Sequence, residues 1–152
     1  MRRLIAVIDD GVDSQLFGLG ELCFDLEIDA GGAVRERREQ AVGAPSHGTM
    51  CGALIRHFCP DVSLGSVKIL STQDHRGDCR ALVHAIDWCV NRGIHLIHMS
   101  NGSTVFQDFT QVDDCVGRAV RRGALIIAAQ SNSRLYTVPA CLPGVLGVCY
   151  GR

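Results

Sequence analysis

The sequence has no long hydrophobic run and no excess of charge of either sign. Its longest apolar stretches, residues 4–8 and 124–129, are far short of the about 20 residues that a helix needs to cross a bilayer. Fifteen basic residues against sixteen acidic ones leave a formal net charge of −1, which argues against a nucleic-acid binder with a basic stripe. The 47% hydrophobic content excludes a disordered chain. We therefore predict one folded domain over residues 1–152, with no membrane and no nucleic-acid partner.

The chain has eight cysteines but no CxxC pair, so a zinc ribbon has no support. Arg2 and Arg3 precede an apolar run of five residues, which is shorter than the about 7–15 residues of a signal peptide. We therefore expect a cytoplasmic chain whose thiols stay reduced. Cys51, His57 and Cys59 lie close in sequence, but core thiols explain them better than a metal site, so neither a metal nor a cofactor is predicted.

Short apolar runs alternate with segments of helical periodicity, which predicts an α/β fold. The expected architecture has three layers, with a mostly parallel sheet of about six strands and helices on both faces. Ser46 is expected to cap the first helix, and the polar residues 31–45 are expected to form a solvated loop or a hairpin tip. The predicted strands are 4–8, 24–28, 62–70, 94–99, 124–129 and 145–149, and the predicted helices are 47–58, 78–92 and 108–122.

Polar residues follow several of these strands, at the sheet edge where α/β proteins form their sites. Asp9, Asp10 and Gly11 follow the first strand, and residues 100–103 and 130–132 follow two later ones. His47 stands at the start of the first helix. An Asp can orient such a His, the His can act as a general base, and an amide side chain can donate to a developing oxyanion.

The order of these motifs resembles that of the subtilisin-like serine peptidases, over essentially the whole chain. Met50 stands where the family usually has a second His, and Gln130 and Ser131 precede Asn132 where Ala-Gly is usual. The matching segments are 5–13 (the strand ending in the catalytic Asp), 46–52 (the His motif), 97–102 (the substrate-binding strand), 126–132 (the oxyanion-hole segment) and 138–148 (a Pro-Ala stretch and the next strand).

The resemblance implies an Asp-His-Ser endopeptidase with Asp9 as the orienting carboxylate and His47 as the base. It implies Asn132 as the oxyanion donor and a peptide or protein substrate paired with the backbone of Ser100, Asn101 and Gly102. The family's nucleophile motif does not occur in these 152 residues, so we expect a C-terminally short domain that is inactive alone. The Ser-bearing segment would be separate or encoded downstream, and its absence should expose apolar surface.

Other interpretations of the same residues remain open. Asp9 and Asp10 could form the acidic pair of a phosphoacceptor receiver-type domain, although Asp10 is better explained as a polar substitution at a variable position. His47 could make only local hydrogen bonds at the helix start, and Asn132 could be a turn residue. The whole chain could also be a non-catalytic peptide-binding pseudo-peptidase or a partner in peptide maturation.

Overall fold

The computed structural model describes residues 3–37, 44–133 and 135–151. Within these residues seven strands form one sheet in the order β3-β2-β4-β1-β5-β6-β7, and all neighbours are parallel except β2 and β3. The strands are β1 (Leu4–Asp9), β2 (Asp25–Ile28), β3 (Val34–Glu36), β4 (Ser63–Lys68), β5 (Leu96–Met99), β6 (Leu125–Ala129) and β7 (Val145–Val148). The helices are α1 (His47–Phe58), α2 (Cys79–Asn91) and α3 (Phe109–Arg121), the last preceded by a 3₁₀ turn at Phe106–Asp108.

The ends of the helices follow the signals in the sequence. Ser46 caps α1, because its side-chain oxygen accepts a hydrogen bond from the amide of Thr49 at 3.2 Å. Both α2 and α3 end just before a glycine with positive φ, Gly93 at 74° and Gly123 at 84°, a conformation that glycine adopts without strain. The predicted α1 is confirmed residue for residue, and the other two helices are each one residue shorter at both ends than predicted.

Helices cover both faces of the sheet, as predicted. The larger hydrophobic cluster joins one face of the sheet to the apolar sides of α2 and α3, with Ile97 and Ile126 at its centre. The smaller cluster joins the other face to α1 around Ile5, Val7 and Leu64. The predicted three-layer α/β architecture is therefore confirmed.

The face of the sheet that carries α1 is only partly covered by the described residues. Strand register places Leu125, Leu146 and Val148 on the same face as Ile5, because side chains alternate along each strand. Leu125 is 48% exposed, Leu146 is 55% exposed and Val148 is 50% exposed. The part of this face at β6 and β7 is thus an exposed apolar surface, which we call the open sheet face (Leu125, Leu146 and Val148).

The structure corrects the prediction in two places. The sheet has a further strand, β3, inside the segment that was expected to be a loop or hairpin tip; residues 38–43 of that segment lie outside the described residues. Asp29 makes this hairpin, since its side chain accepts hydrogen bonds from the amides of Gly31 and Ala33. The prediction of a core thiol is wrong for Cys59, which is exposed.

None of the helices in the part of the chain that the structure describes is long and apolar enough to span a membrane.

Candidate active site

The candidate site lies where the chain reverses its direction along the sheet. From β1 the chain passes through β2, β3 and α1 to β4 on one side of β1, and it then returns through α2 to β5 on the other side. Such a reversal opens a crevice beyond the carboxyl ends of the strands. Asp9 is the last residue of β1, and Ser100 follows β5 directly, so the topology brings both to this crevice.

Asp9 and His47 form a hydrogen-bonded pair at this edge. The Asp9 carboxylate is 1% exposed and lies 3.0 Å from the Nδ1 atom of His47, whose side chain is half exposed. The second carboxylate oxygen accepts a hydrogen bond from the amide of Asp10 at 2.9 Å. Burial raises the pKa of the Asp9 carboxyl above its usual range, and the neighbouring His47 offsets part of that rise. The carboxylate therefore holds the imidazole in one orientation, with Nε2 directed away from it.

The N-terminus of α1 is fixed to the end of β1 by hydrogen bonds from capping residues. The Ser46 hydroxyl donates to the carbonyl of Gly11 at 2.7 Å. The Thr49 hydroxyl accepts from the amide of Asp13 at 2.8 Å. Gly48 allows the close approach, because a Cβ atom there would lie 2.6 Å from the Gly11 carbonyl oxygen. These contacts set the distance between Asp9 and His47.

Asp10 contributes to the same junction, which corrects its interpretation as a polar substitution at a variable position. Its fully buried carboxylate accepts hydrogen bonds from the amides of His47 at 3.2 Å and Gly48 at 2.8 Å. His75 lies 3.4 Å from the same carboxylate. Amides at a helix N-terminus have no partner within the helix and carry a partial positive charge, so a carboxylate stabilises them. Asp10 is thus an anchor for the helix that carries His47, and the pattern Asp-Asp-Gly after a buried strand was the available signal.

We expect Asp10→Ala to lower the free energy of unfolding by about 2 kcal/mol, because two buried amides lose their acceptor. Asp10→Asn keeps one side-chain oxygen that can accept from a backbone amide, so it should lower the free energy of unfolding by about half as much. Urea denaturation at constant pH measures both values. The matched control is Asp78→Ala, which removes an exposed cap from α2. A loss for Asp10→Ala no larger than for Asp78→Ala would contradict the anchoring role.

The predicted substrate-binding residues lie in the same cleft as the Asp9–His47 pair. This cleft has a volume of about 920 Å³ and is lined by Asp9, His47, Ser100, Asn101 and Gly102 among others. The Asn101 side chain donates to the carbonyl of Ile8 at 2.6 Å and so fixes the loop to the end of β1. A Cβ on Gly102 would lie 2.4 Å from the carbonyl oxygen of Val138, which leaves room only for glycine. The structure thus brings five of the six predicted site residues together.

The sixth predicted residue, Asn132, lies outside this cleft. It is exposed in a turn after β6 and lines a neighbouring pocket of about 490 Å³. Gln130 and Ser131 line both cavities, and the amide of Ser131 donates to the Thr137 hydroxyl at 3.0 Å, which bends the chain at this point. The oxyanion role of Asn132 stays a prediction, since its side chain faces a different pocket from His47 in this structure.

Cys51 is a second residue of the site that the sequence analysis did not assign. Its sulfur lies 3.9 Å from Nδ1 of His47 and 3.5 Å from the Ser100 hydroxyl. Burial and the carboxylates of Asp9 and Asp10 raise the pKa of the Cys51 thiol, so the thiol is protonated at neutral pH. The available signal was the spacing of four residues from His47, which places two side chains on one face of a helix.

A buried carboxylate hydrogen-bonded to an imidazole is the Asp-His part of the Asp-His-Ser arrangement of serine hydrolases. The chain belongs to the subtilase family, whose model matches residues 3–150. This family order of Asp before His agrees with Asp9 and His47.

Known proteins similar to this chain support the family and the fold. The minor extracellular protease Epr of Bacillus subtilis (strain 168) is 28% identical over 156 residues, covering 95% of this chain and 22% of that protein. Subtilisin BL of Lederbergia lenta is 26% identical over 138 residues, covering 85% of this chain and 47% of that protein. The crystal structure of a lanthipeptide protease superposes with a TM-score of 0.75 at 19% identity, covering 95% of this chain and 47% of that one. The chain therefore spans less than half the length of these relatives.

Proposed function

We propose that this chain is the Asp- and His-bearing part of a subtilisin-like serine endopeptidase. The observation that carries the proposal is the buried Asp9 carboxylate 3.0 Å from the His47 imidazole, at one end of a cleft lined by residues 100–102. His47 would take the proton from a serine hydroxyl as that oxygen attacks a peptide carbonyl, and Asp9 would stabilise the imidazolium that forms. The substrate backbone would add as a strand to Ser100, Asn101 and Gly102.

The nucleophile in this proposal comes from a segment other than those described. Among the described residues, no serine hydroxyl is hydrogen-bonded to the His47 imidazole. Several serines have structural partners instead: Ser46 caps α1, the Ser66 hydroxyl accepts from the amide of Val12 at 3.1 Å, and Ser103 donates to Asp108. We therefore propose that the 152-residue chain does not hydrolyse peptides by itself.

The open sheet face offers a place for such a segment. Leu125, Leu146 and Val148 lie on the face of the sheet that carries α1, and Met50 and Leu54 of that helix are also half exposed. A helix with an apolar side would remove these residues from water, at roughly 25 cal/mol for each Å² of apolar surface buried. A serine at the N-terminus of that helix would then face His47 across the cleft.

The cysteines fit a reducing, cytoplasmic environment, which we include in the proposal. The eight cysteines are free in the described structure, and no pair of them is joined by a disulfide. Free thiols persist in compartments where glutathione and thioredoxin keep them reduced.

Labelling with a fluorophosphonate tests the proposed function, because this reagent modifies only an activated serine. We expect no label on the 152-residue chain and a label on a serine outside it when the chain is expressed together with a Ser-bearing segment. His47→Ala should abolish that label. Labelling of the 152-residue chain itself, lost on one Ser→Ala change, would overturn the proposal. Peptide binding with no label in either preparation would identify a non-catalytic peptide binder instead.

A further inference from the structure

Three side chains of different chemistry lie together beside the cleft, and two of them, Asp9 and His47, line it. A carboxylate oxygen of Asp9, a ring nitrogen of His47 and the sulfur of Cys51 all lie within 4.8 Å of one another. We call these residues the Asp9–His47–Cys51 cluster. Nδ1 of His47 is the shared neighbour, at 3.0 Å from the Asp9 oxygen and 3.9 Å from the Cys51 sulfur. An oxygen, a nitrogen and a sulfur are the three donor types that bind zinc in proteins.

The spacing of the cluster suits chelation of a single ion. Bonds of about 2.0–2.2 Å from oxygen and nitrogen and about 2.3 Å from sulfur put the donors of a tetrahedral zinc site roughly 3–4 Å apart. The two distances from His47 Nδ1 fall in or near that range. The Cys51 sulfur lies within 4.8 Å of the carboxylate oxygen as well. The remaining position of the ion is then open to water from the cleft.

The surroundings of the cluster favour a cation. The carboxylates of Asp9 and Asp10 are both buried and adjacent, and a bound cation would balance their charge. The backbone already fixes two of the three ligands: Asp9 through the amide of Asp10, and His47 through the hydrogen bonds at the start of α1. Cys51 follows His47 by one helical turn, so its sulfur stays on the same side of the helix.

We propose that the Asp9–His47–Cys51 cluster is a binding site for a zinc-class divalent cation. On binding, the Cys51 thiol releases its proton to solvent and the thiolate forms a bond to the metal, while Asp9 and His47 bind through Oδ and Nδ1. The metal then occupies Nδ1, and the imidazole keeps its proton on Nε2. A general base must accept a proton on Nε2, and here that atom already carries one. The ion therefore holds His47 in an inactive form.

The site was not predicted from the sequence, because Cys51 was considered together with His57 and Cys59. Both of those residues are exposed near the C-terminal end of α1, away from the cleft. The ligands come instead from β1 and from the first turns of α1, which only the fold brings together. Binding of the metal is independent of the proposed function, whereas inhibition by the metal rests on it.

Titration of the 152-residue chain with Co²⁺ tests the site, because cobalt substitutes for zinc and a cobalt–thiolate bond gives a charge-transfer absorption in the near ultraviolet. With a phosphine reductant present, we expect this absorption to saturate at one equivalent and to disappear when Zn²⁺ is added. Cys51→Ser should abolish the band. Asp9→Asn should weaken Co²⁺ binding by about 10- to 100-fold or more. The loss of even an outer-shell partner of a metal ligand costs that much, and Asp9 is a direct ligand in this proposal.

The matched control is Cys59→Ser, which changes an exposed thiol beyond the end of α1 and should leave the titration unchanged. His47→Gln provides a second test at a half-exposed position, and circular dichroism checks that each variant is folded. A charge-transfer band that survives Cys51→Ser, or one that Cys59→Ser abolishes, would overturn the assignment. We call this chain together with its Ser-bearing segment the completed peptidase. If the charge-transfer band appears but the metal does not inhibit the completed peptidase, only the inhibitory role is overturned, and the binding site stands.

Discussion

Asp9→Asn is expected to lower kcat of the completed peptidase by about 10⁴-fold while leaving the stability of the fold unchanged or raised. The rate effect follows because the NH2 group of asparagine can donate to Nδ1 of His47, which favours the tautomer with its proton on Nε2, and that tautomer cannot act as the base. Subtilisin, a member of this family, loses about 3 × 10⁴ in kcat when its orienting Asp is removed, and the expected size is carried over from that enzyme.

The stability effect follows from the direction of the pKa shift at Asp9. Burial raises the pKa of this carboxyl above 3.8, so the folded chain holds a proton in a pH range where the unfolded chain has released it. The free energy of unfolding therefore falls as the pH rises through that range, and the lost part stays lost at neutral pH. Asparagine carries no charge, so the variant should show no such fall.

Peptide hydrolysis by the completed domain and urea denaturation of the 152-residue chain from acid to neutral pH measure the two effects. Asp29→Asn is the control, because amides of its own turn lower the pKa of that exposed carboxyl and it lies away from the cleft. The control should keep full activity, and relative to the wild type it should lose a stabilisation that grows as the pH rises, because the lowered pKa of Asp29 makes its carboxylate stabilising. A stability loss for Asp9→Asn at neutral pH, or retention of most of the activity, would contradict the role given to Asp9.

The start of α1 shows why much of the site could be predicted from the sequence. Ser46 before an apolar-periodic segment is a strong local signal, and it fixed the position of His47 at the first turn of the helix. The buried run before Asp9 is equally local, because a continuous apolar strand is typical of a parallel sheet. Since parallel strands align their carboxyl ends, the meeting of Asp9 and His47 followed from these local features and the fold class.

The parts that could not be predicted depend on contacts between distant segments. The role of Asp10 depends on amides that stand 37 and 38 residues later in the chain. Exposed apolar surface was expected from the sequence, but its place at Leu146 was not. That place depends on strand register, which apolar periodicity alone does not give. Asn132 was assigned from its motif, but its direction is set by the turn between β6 and Thr137, and turns follow local hydrogen bonds that a motif does not specify.

Gly48→Ala is expected to destabilise the fold by about 3 kcal/mol, the largest stability effect of any substitution considered. The added Cβ would lie 2.6 Å from the Gly11 carbonyl oxygen and 3.0 Å from the Cβ of Asp9. Neither neighbour can move away freely, because the Ser46 hydroxyl holds the Gly11 carbonyl and Asp9 lies inside the sheet. The first turn of α1 must therefore shift, which separates His47 from Asp9.

Gly117→Ala is the matched control, since this glycine lies in the interior of α3 and its Cβ would meet only the flexible end of Arg121. Alanine is favoured over glycine inside a helix, so the control should be more stable than the wild type by about 0.5–1 kcal/mol. Urea denaturation gives both values, and the NMR signals of His47 report whether its contact with Asp9 survives. Equal stability of Gly48→Ala and the wild type would show that the junction between β1 and α1 is looser than the hydrogen bonds indicate. The carboxylate of Asp10, with its bonds to the amides of His47 and Gly48, would then be among the contacts that maintain the pairing of Asp9 with His47.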